Sequence, residues 1–244
     1  MTSPRGVSKT NQNALVQSIQ QLDNHRNELV DNPEIKARIS AYEMAFRMQA
    51  SVPELTDVSK EPQRILDMYG AKPGDGSFAS NCLLARRLAE KGVRFIQLYH
   101  RGWDHHGGLV KYMNTCCGLT DKPIWALLTD LKQRGMLEET LIVWGGEFGR
   151  TPMFQGKGGA GRDHHIKGFS MWLAGGGIRG GTAYGETDEL GYASVKDTVH
   201  VRDLHATMLH LLGIDHKRFS VKFQGLDMRL TGVEPARVVK DVLT

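Results

Sequence analysis

Ten histidines are spread over 244 residues, and four of them fall in two identical triplets, Asp104-His105-His106 and Asp163-His164-His165. With fifteen aspartates in the chain, roughly 0.025 such triplets arise by chance when matches are counted, so two is a signal. Imidazole nitrogen and carboxylate oxygen in one polar loop are ligands for zinc, manganese or iron. The competing reading is conformational, because aspartates also cap turns by bonding to nearby backbone. Two triplets supply ligands for one site and part of a second.

A third polar segment, Gly145-Gly146-Glu147-Phe148-Gly149-Arg150-Thr151-Pro152, leaves the end of an apolar run. Glu147 stands where a carboxylate reaches a metal, and Arg150 is suited to gripping an anionic oxygen pair. The plainer alternative is a surface ion pair between the two, which is worth little. Thr151 is the hydroxyl nearest this chemistry, and Pro152 restrains it. His200, His205 and His210 read as partly buried helix histidines, and His25 and His216 as surface residues. His100 is placed to orient the site from behind. The glycine runs 175–177 and 180–181 open no helix, which excludes a dinucleotide-binding turn.

These residues need elements to hold them. Helices are expected over Asn11–Asn32, from Glu34 to about Ala50, over Gln63–Tyr69 and over Ser77–Lys91, the last stopped by Gly92. Val93–Tyr99 reads as a strand whose C-terminal end leads into the polar loop 100–108. Asp121 and Pro123 open a helix to about Gly135. Leu141–Trp144 and Phe169–Ala174 read as strands. The glycine-rich connection between them has no helical period, so the two run antiparallel. Asp203 caps a last helix ending at Gly213. This order predicts an α/β fold, an open and mostly parallel sheet flanked by helices, with ligands at its C-terminal edge. Two parts are expected: residues 1–76 as a helical segment packing on the sheet domain, and residues 77–244 as the α/β portion carrying the metal site.

The net charge is +4 and the basic residues are scattered, so nucleic acid is not an expected partner. No apolar run is long enough to span a membrane. Three cysteines form no CxxC pair and no disulfide framework. The first residues, MTSPRGVSKTNQNALVQ, show no apolar signal-peptide core.

The strings CLLARRLAEKGVRFIQLYHRGWDHHGG, DLKQRGMLEETLIVWGGEFGRTP, GRDHH, AGGGIRGG and VRDLHATMLHLLGIDH, in that order, resemble the DUF1501 family. The resemblance spans essentially residues 10–243. It implies bacterial proteins distantly related to sulfatases and the alkaline phosphatase superfamily, exported or periplasmic, and incomplete here as a C-terminal half whose N-terminal partner half is missing. By resemblance, Asp104 and His106 belong to a first metal site that His164 completes, with Asp163 adjacent. Glu147 stands where the superfamily has Asp at a second site, and Phe148 replaces the His that follows it. Arg150 and Arg162 hold the anion, and Asp203 is structural. The implied cofactor is one or two divalent ions, zinc or manganese. The implied ligand is an anionic small molecule or polysaccharide. The expected function is part of a metal-dependent phosphate or sulfate ester hydrolase, with no identified nucleophile and no activity in this chain alone. The rival is a non-catalytic, metal-stabilised binding or scaffold protein.

Overall fold

The computed structural model describes residues 8–30, 55–155 and 160–244. The helix expected from Glu34 to Ala50 lies outside them. Five α-helices are described: α1 (Lys9–Val30), α2 (Gln63–Tyr69), α3 (Phe78–Glu90), α4 (Leu109–Gln133) and α5 (Val201–Leu211). Eight short strands accompany them: β1 (Ile142–Trp144), β2 (Gly149–Arg150), β3 (His164–His165), β4 (Trp172–Ala174), β5 (Glu186–Thr187), β6 (Ser194–Lys196), β7 (Ser220–Phe223) and β8 (Leu226–Arg229).

The core lies where α2 and α3 meet α4. Ile65, Leu66 and Tyr69 of α2 pack with Ala79, Cys82 and Leu83 of α3 and Ala126 of α4, while Val58 and Ala71 close the cluster. Burial pushes the Cys82 thiol up to about 12, so it acts as a small apolar side chain. Ser77 caps α3 by accepting from the Ser80 N–H, and Gly92 follows the helix at φ 78°. In α1, by contrast, Leu15, Ile19 and Leu22 are exposed.

α4 departs from the expected start at Asp121. It begins at Leu109 and runs through Pro123. An internal proline costs about 3 kcal/mol. Here it sits on the buried face with Cys116, Thr120, Ala126 and Asp130, at helical spacing, so burial of that face outweighs the lost hydrogen bond. Asp203 is likewise not the cap of α5. His200 is the cap, its Nδ1 accepting from Arg202 N–H at 3.2 Å, and Asp203 accepts from His200 N–H at 3.0 Å from inside the first turn. The other Asp203 oxygen accepts from Arg237 N–H, and Thr207 Oγ1 from Val239 N–H, both at 2.9 Å. These bonds tie the C-terminal stretch to α5.

The sheet differs more. β1 pairs with β4 in the antiparallel sense expected for Leu141–Trp144 and Phe169–Ala174, with Ile142 opposite Ala174 and Trp144 opposite Trp172. The other ladders, β2–β3, β5–β6 and β7–β8, are antiparallel and two-stranded as well. The described residues therefore form a mixed α/β fold of antiparallel pairs, not an open parallel sheet. The missing strand is Val93–Tyr99. It forms no regular element: Leu98 packs on the core, but residues 94–99 make no backbone hydrogen bond among the described residues. Ile96 and Leu98 are half-buried, whereas Phe95 and Tyr99 are 75% and 81% exposed. Burial alternates over Phe95–Tyr99, and no pairing partner is found among the described residues.

Open backbone edges beside exposed aromatics promote association with other chains. Replacing Phe95 and Tyr99 by lysine should raise the concentration at which the protein self-associates by about twofold or more, read by light scattering. An unchanged onset would show that another part of the protein covers this segment.

Candidate metal centre

The two triplets meet because their loops are bonded to each other through the main chain. Arg162 N–H donates to His105 O at 3.0 Å, and Leu109 N–H at the start of α4 donates to Ala160 O at 2.7 Å. Gly161 permits this approach. A Cβ there would lie 2.1 Å from His106 O and 2.7 Å from Gly107 N. The second triplet is also held by β2, with Arg150 opposite His164 and Gly149 opposite His165. Thr151 N–H extends the ladder by donating to Asp163 O at 2.9 Å.

Asp104, His106 and His164 come together, their ligating atoms all within 4.8 Å of one another. Oδ1 of Asp104 lies 2.9 Å from His106 Nε2, 2.8 Å from His164 Nε2 and 2.7 Å from Arg150 Nη2. The hydrogen bond from His164, then that from Arg150, holds the Asp104 carboxyl down to about 2, so it is ionised throughout the physiological range. His106 Nδ1 faces Gln155 Oε1 at 2.5 Å. With the His106 proton on Nδ1, Gln155 Oε1 accepts it and Nε2 is the nitrogen turned toward Asp104. The donor set, two imidazole nitrogens and one carboxylate oxygen with a further position open, is of the kind that can hold a divalent ion.

The other candidates are placed differently. Asp163 is exposed and its Oδ1 accepts from the His164 N–H; it stands outside the three-residue group. His105 and His165 are buried. His105 Nε2 lies 2.6 Å from Gly102 O, and His165 Nε2 lies 2.5 Å from Tyr192 O. Glu147 is exposed, 3.7 Å from Arg150 Nη2, on the guanidinium that also holds Asp104. Phe148 is half-buried with its ring edge-on to His164 at 5.2 Å. Arg162 turns away and stacks on Phe154 at 4.6 Å. Thr151 Oγ1 donates to Met153 O and accepts from Asp163 N–H, so its hydroxyl is committed. His100 accepts from Trp103 Nε1 at 3.0 Å, and the Trp103 carbonyl lies 3.4 Å from Arg150 Nη2. Burial, then the charge of Arg101, lowers the His100 pKa.

Gln155 was not legible as a site residue. It carries no metal-ligand chemistry, and its role arises from folding the glycine-rich loop back onto His106. Gly161 was visible only as one glycine among many.

Gly161→Ala is expected to cost about 1–3 kcal/mol by overpacking and to weaken metal binding about tenfold or more by parting the two loops. Thermal melts and metal titration of the variant check both effects. Unchanged metal affinity would show that the loops are free to separate without losing the cluster.

A mixed α/β chain that folds two Asp-His-His loops into one three-ligand cluster is thus the class that fold and site define. The chain belongs to the family described as protein of unknown function (DUF1501), whose family model matches residues 1–243. The match takes in residues 1–76 as well as the site portion, so it is not confined to a C-terminal half of this chain. No curated protein and no solved structure matches it. Among the described residues no helix is long and apolar enough to cross a membrane.

Proposed function

We propose that this protein holds one divalent ion, zinc or manganese, on Asp104, His106 and His164, and presents it with Arg150 to a phosphate or sulfate ester. This is the arrangement implied by the resemblance to sulfatase-like hydrolases of the alkaline phosphatase superfamily. The observation that carries the reading is the convergence of three ligand atoms within 4.8 Å from residues sixty positions apart. A bound ion of this kind polarises an ester oxygen as a Lewis acid.

The chain's own residues do the rest. Gln155 fixes the His106 tautomer, and Asp104 holds His106, His164 and Arg150 in register. Arg150 Nη2 is used by Asp104, while Nη1 is buried with no hydrogen-bond partner among the described residues. Nη1 would serve an anionic oxygen only if the side chain turned it out toward the cluster. Glu147 lies on the same guanidinium and outside the three-ligand group, which favours one ion over two.

A second reading is a metal-stabilised binding protein without turnover. The committed Thr151 hydroxyl favours it, because the hydroxyl nearest the cluster is not free to attack. On the hydrolase reading the nucleophile comes from outside the described residues. The test joins metal analysis to assays with aryl phosphate and aryl sulfate. The expected result is about one zinc or manganese per chain at saturation and no turnover by the 244-residue chain. Metal-dependent turnover that is lost in Glu147→Ala would put Thr151 forward as nucleophile. Absence of bound metal would end both readings.

A further inference from the structure

We propose that the protein binds a small organic oxyanion, a carboxylate, sulfate or phosphate on an apolar body, in a groove where α5 ends, at a site lined by none of the metal-centre residues. The groove is a cavity of about 740 Å³ whose wall includes His210, Ile214, Asp215, His216, Lys217 and Lys240. A cavity of about 290 Å³ shares His216 and Lys217 with it and adds Thr231. Together they have the size of a small-molecule site.

Two buried polar side chains aim the inference. His216, a surface residue on the sequence reading, is only 8% exposed, and Thr231 only 7%. Neither side chain makes a hydrogen bond, ion pair or ring contact with a described residue. Their polar atoms nevertheless remain reachable from the cavities they line. Both open onto the same space, where a ligand's oxygens can replace the water that meets them.

Charge selects the sign of the ligand. Lys217 and Lys240 pair with no carboxylate among the described residues. Asp215, the one acid on the larger cavity wall, already accepts from Lys217 N–H at 2.9 Å. The Arg237 guanidinium is spent on Thr198 O. The end of α5 adds roughly half a negative charge, but its last carbonyls are bonded by Gly213 N–H and Ile214 N–H. Across both walls Lys217, Lys240, Arg229 and Arg237 stand against Asp215 and Glu234, so the groove favours an anion. Half-buried Ile214 and Val238 supply the apolar wall against which an organic body packs.

The test titrates the full 244-residue chain, with chelator present, using phenyl phosphate and inorganic phosphate while NMR follows the histidine side chains. Phenyl phosphate is expected to bind saturably and to move the His216 imidazole signals. Inorganic phosphate, which leaves Ile214 and Val238 uncovered, should bind several-fold more weakly. Lys217→Glu with Lys240→Glu should weaken phenyl phosphate at least tenfold. Both lysines are exposed, so this variant does not endanger the core, and His216→Gln is the partner variant. Binding that survives the double lysine variant but is lost in Arg150→Ala would place the anion at the metal centre and overturn the proposal. So would shifts reproduced by chloride at matched ionic strength, which mark surface charge alone.

Discussion

Asp104→Ala is expected to lower affinity for zinc or manganese by more than about a hundredfold. Removing an outer residue that merely orients a ligand costs roughly 10–100-fold. Asp104 is at once a ligand and the group that orients the others, since one oxygen meets His106, His164 and Arg150 within 2.9 Å. Its loss leaves two imidazoles and a guanidinium with no anion among them, so cationic repulsion adds to the missing bond. Gln155→Ala provides the graded comparison. It removes only the acceptor on His106 Nδ1 and should cost about tenfold. Calorimetric titration of both variants gives the order. Equal affinities in wild type and Asp104→Ala would mean that the ion is held elsewhere. A loss in Gln155→Ala as large as that in Asp104→Ala would mean that the loop, rather than the donor set, controls the site.

The parts of this site that were legible in sequence are those fixed by residue type. Two Asp-His-His triplets are rare enough to be noticed, and it was the resemblance rather than the residues that singled out His106. Geometry over a few residues was not legible in the same way. Asp163 was grouped with His164 because they are neighbours in sequence, yet its carboxylate accepts from the His164 N–H and stands outside the three-residue group. The antiparallel pairing of β1 with β4 followed from a connection without a helix, which is a local inference. The parallel sheet was a global one. It took Val93–Tyr99 as a strand of the sheet, although the residue types of that run say nothing about backbone partners. The β7–β8 hairpin went unread for the opposite reason. Its turn, Gln224-Gly225, has φ 50° and 83°, the primed geometry that suits twisted strands, but glutamine is not among the residues that announce it. Pro123 misled because a proline is a strong local signal, and in α4 the buried face overrides it.

Arg86→Leu is expected to destabilise the fold by about 3 kcal/mol, the lower end for breaking a buried ion pair from one side. Against a total of about 5–15 kcal/mol this is a large fraction, and at about 2–4 °C per kcal/mol it lowers the melting temperature by roughly 6–12 °C. Arg86 is 3% exposed and reaches Glu61 at 2.7 Å, Glu90 at 2.7 Å and Asp130 at 3.0 Å. Asp130, 2% exposed, also accepts from the Tyr69 hydroxyl at 3.1 Å. Without Arg86 these carboxylates keep partial partners: Arg87 on Glu61 and Arg134 on Asp130 and Glu90. That is why the lower end applies. The pH dependence follows from Glu61. Burial alone would raise its pKa, but the paired guanidiniums of Arg86 and Arg87 more than reverse this and hold it below the ordinary 4.5. A carboxyl depressed in the folded state stabilises the fold fully above its unfolded pKa, and that stabilisation is lost as pH falls through the folded value. Wild-type stability should therefore hold above about pH 5 and decline below about 4.5. Arg86→Leu should be less stable at neutral pH and decline less steeply in acid, because much of the Glu61 depression is gone. Denaturant unfolding at pH 7 and at pH 4 measures both. Parallel curves for the two proteins would show that Arg86 contributes packing through its stem rather than charge to this cluster.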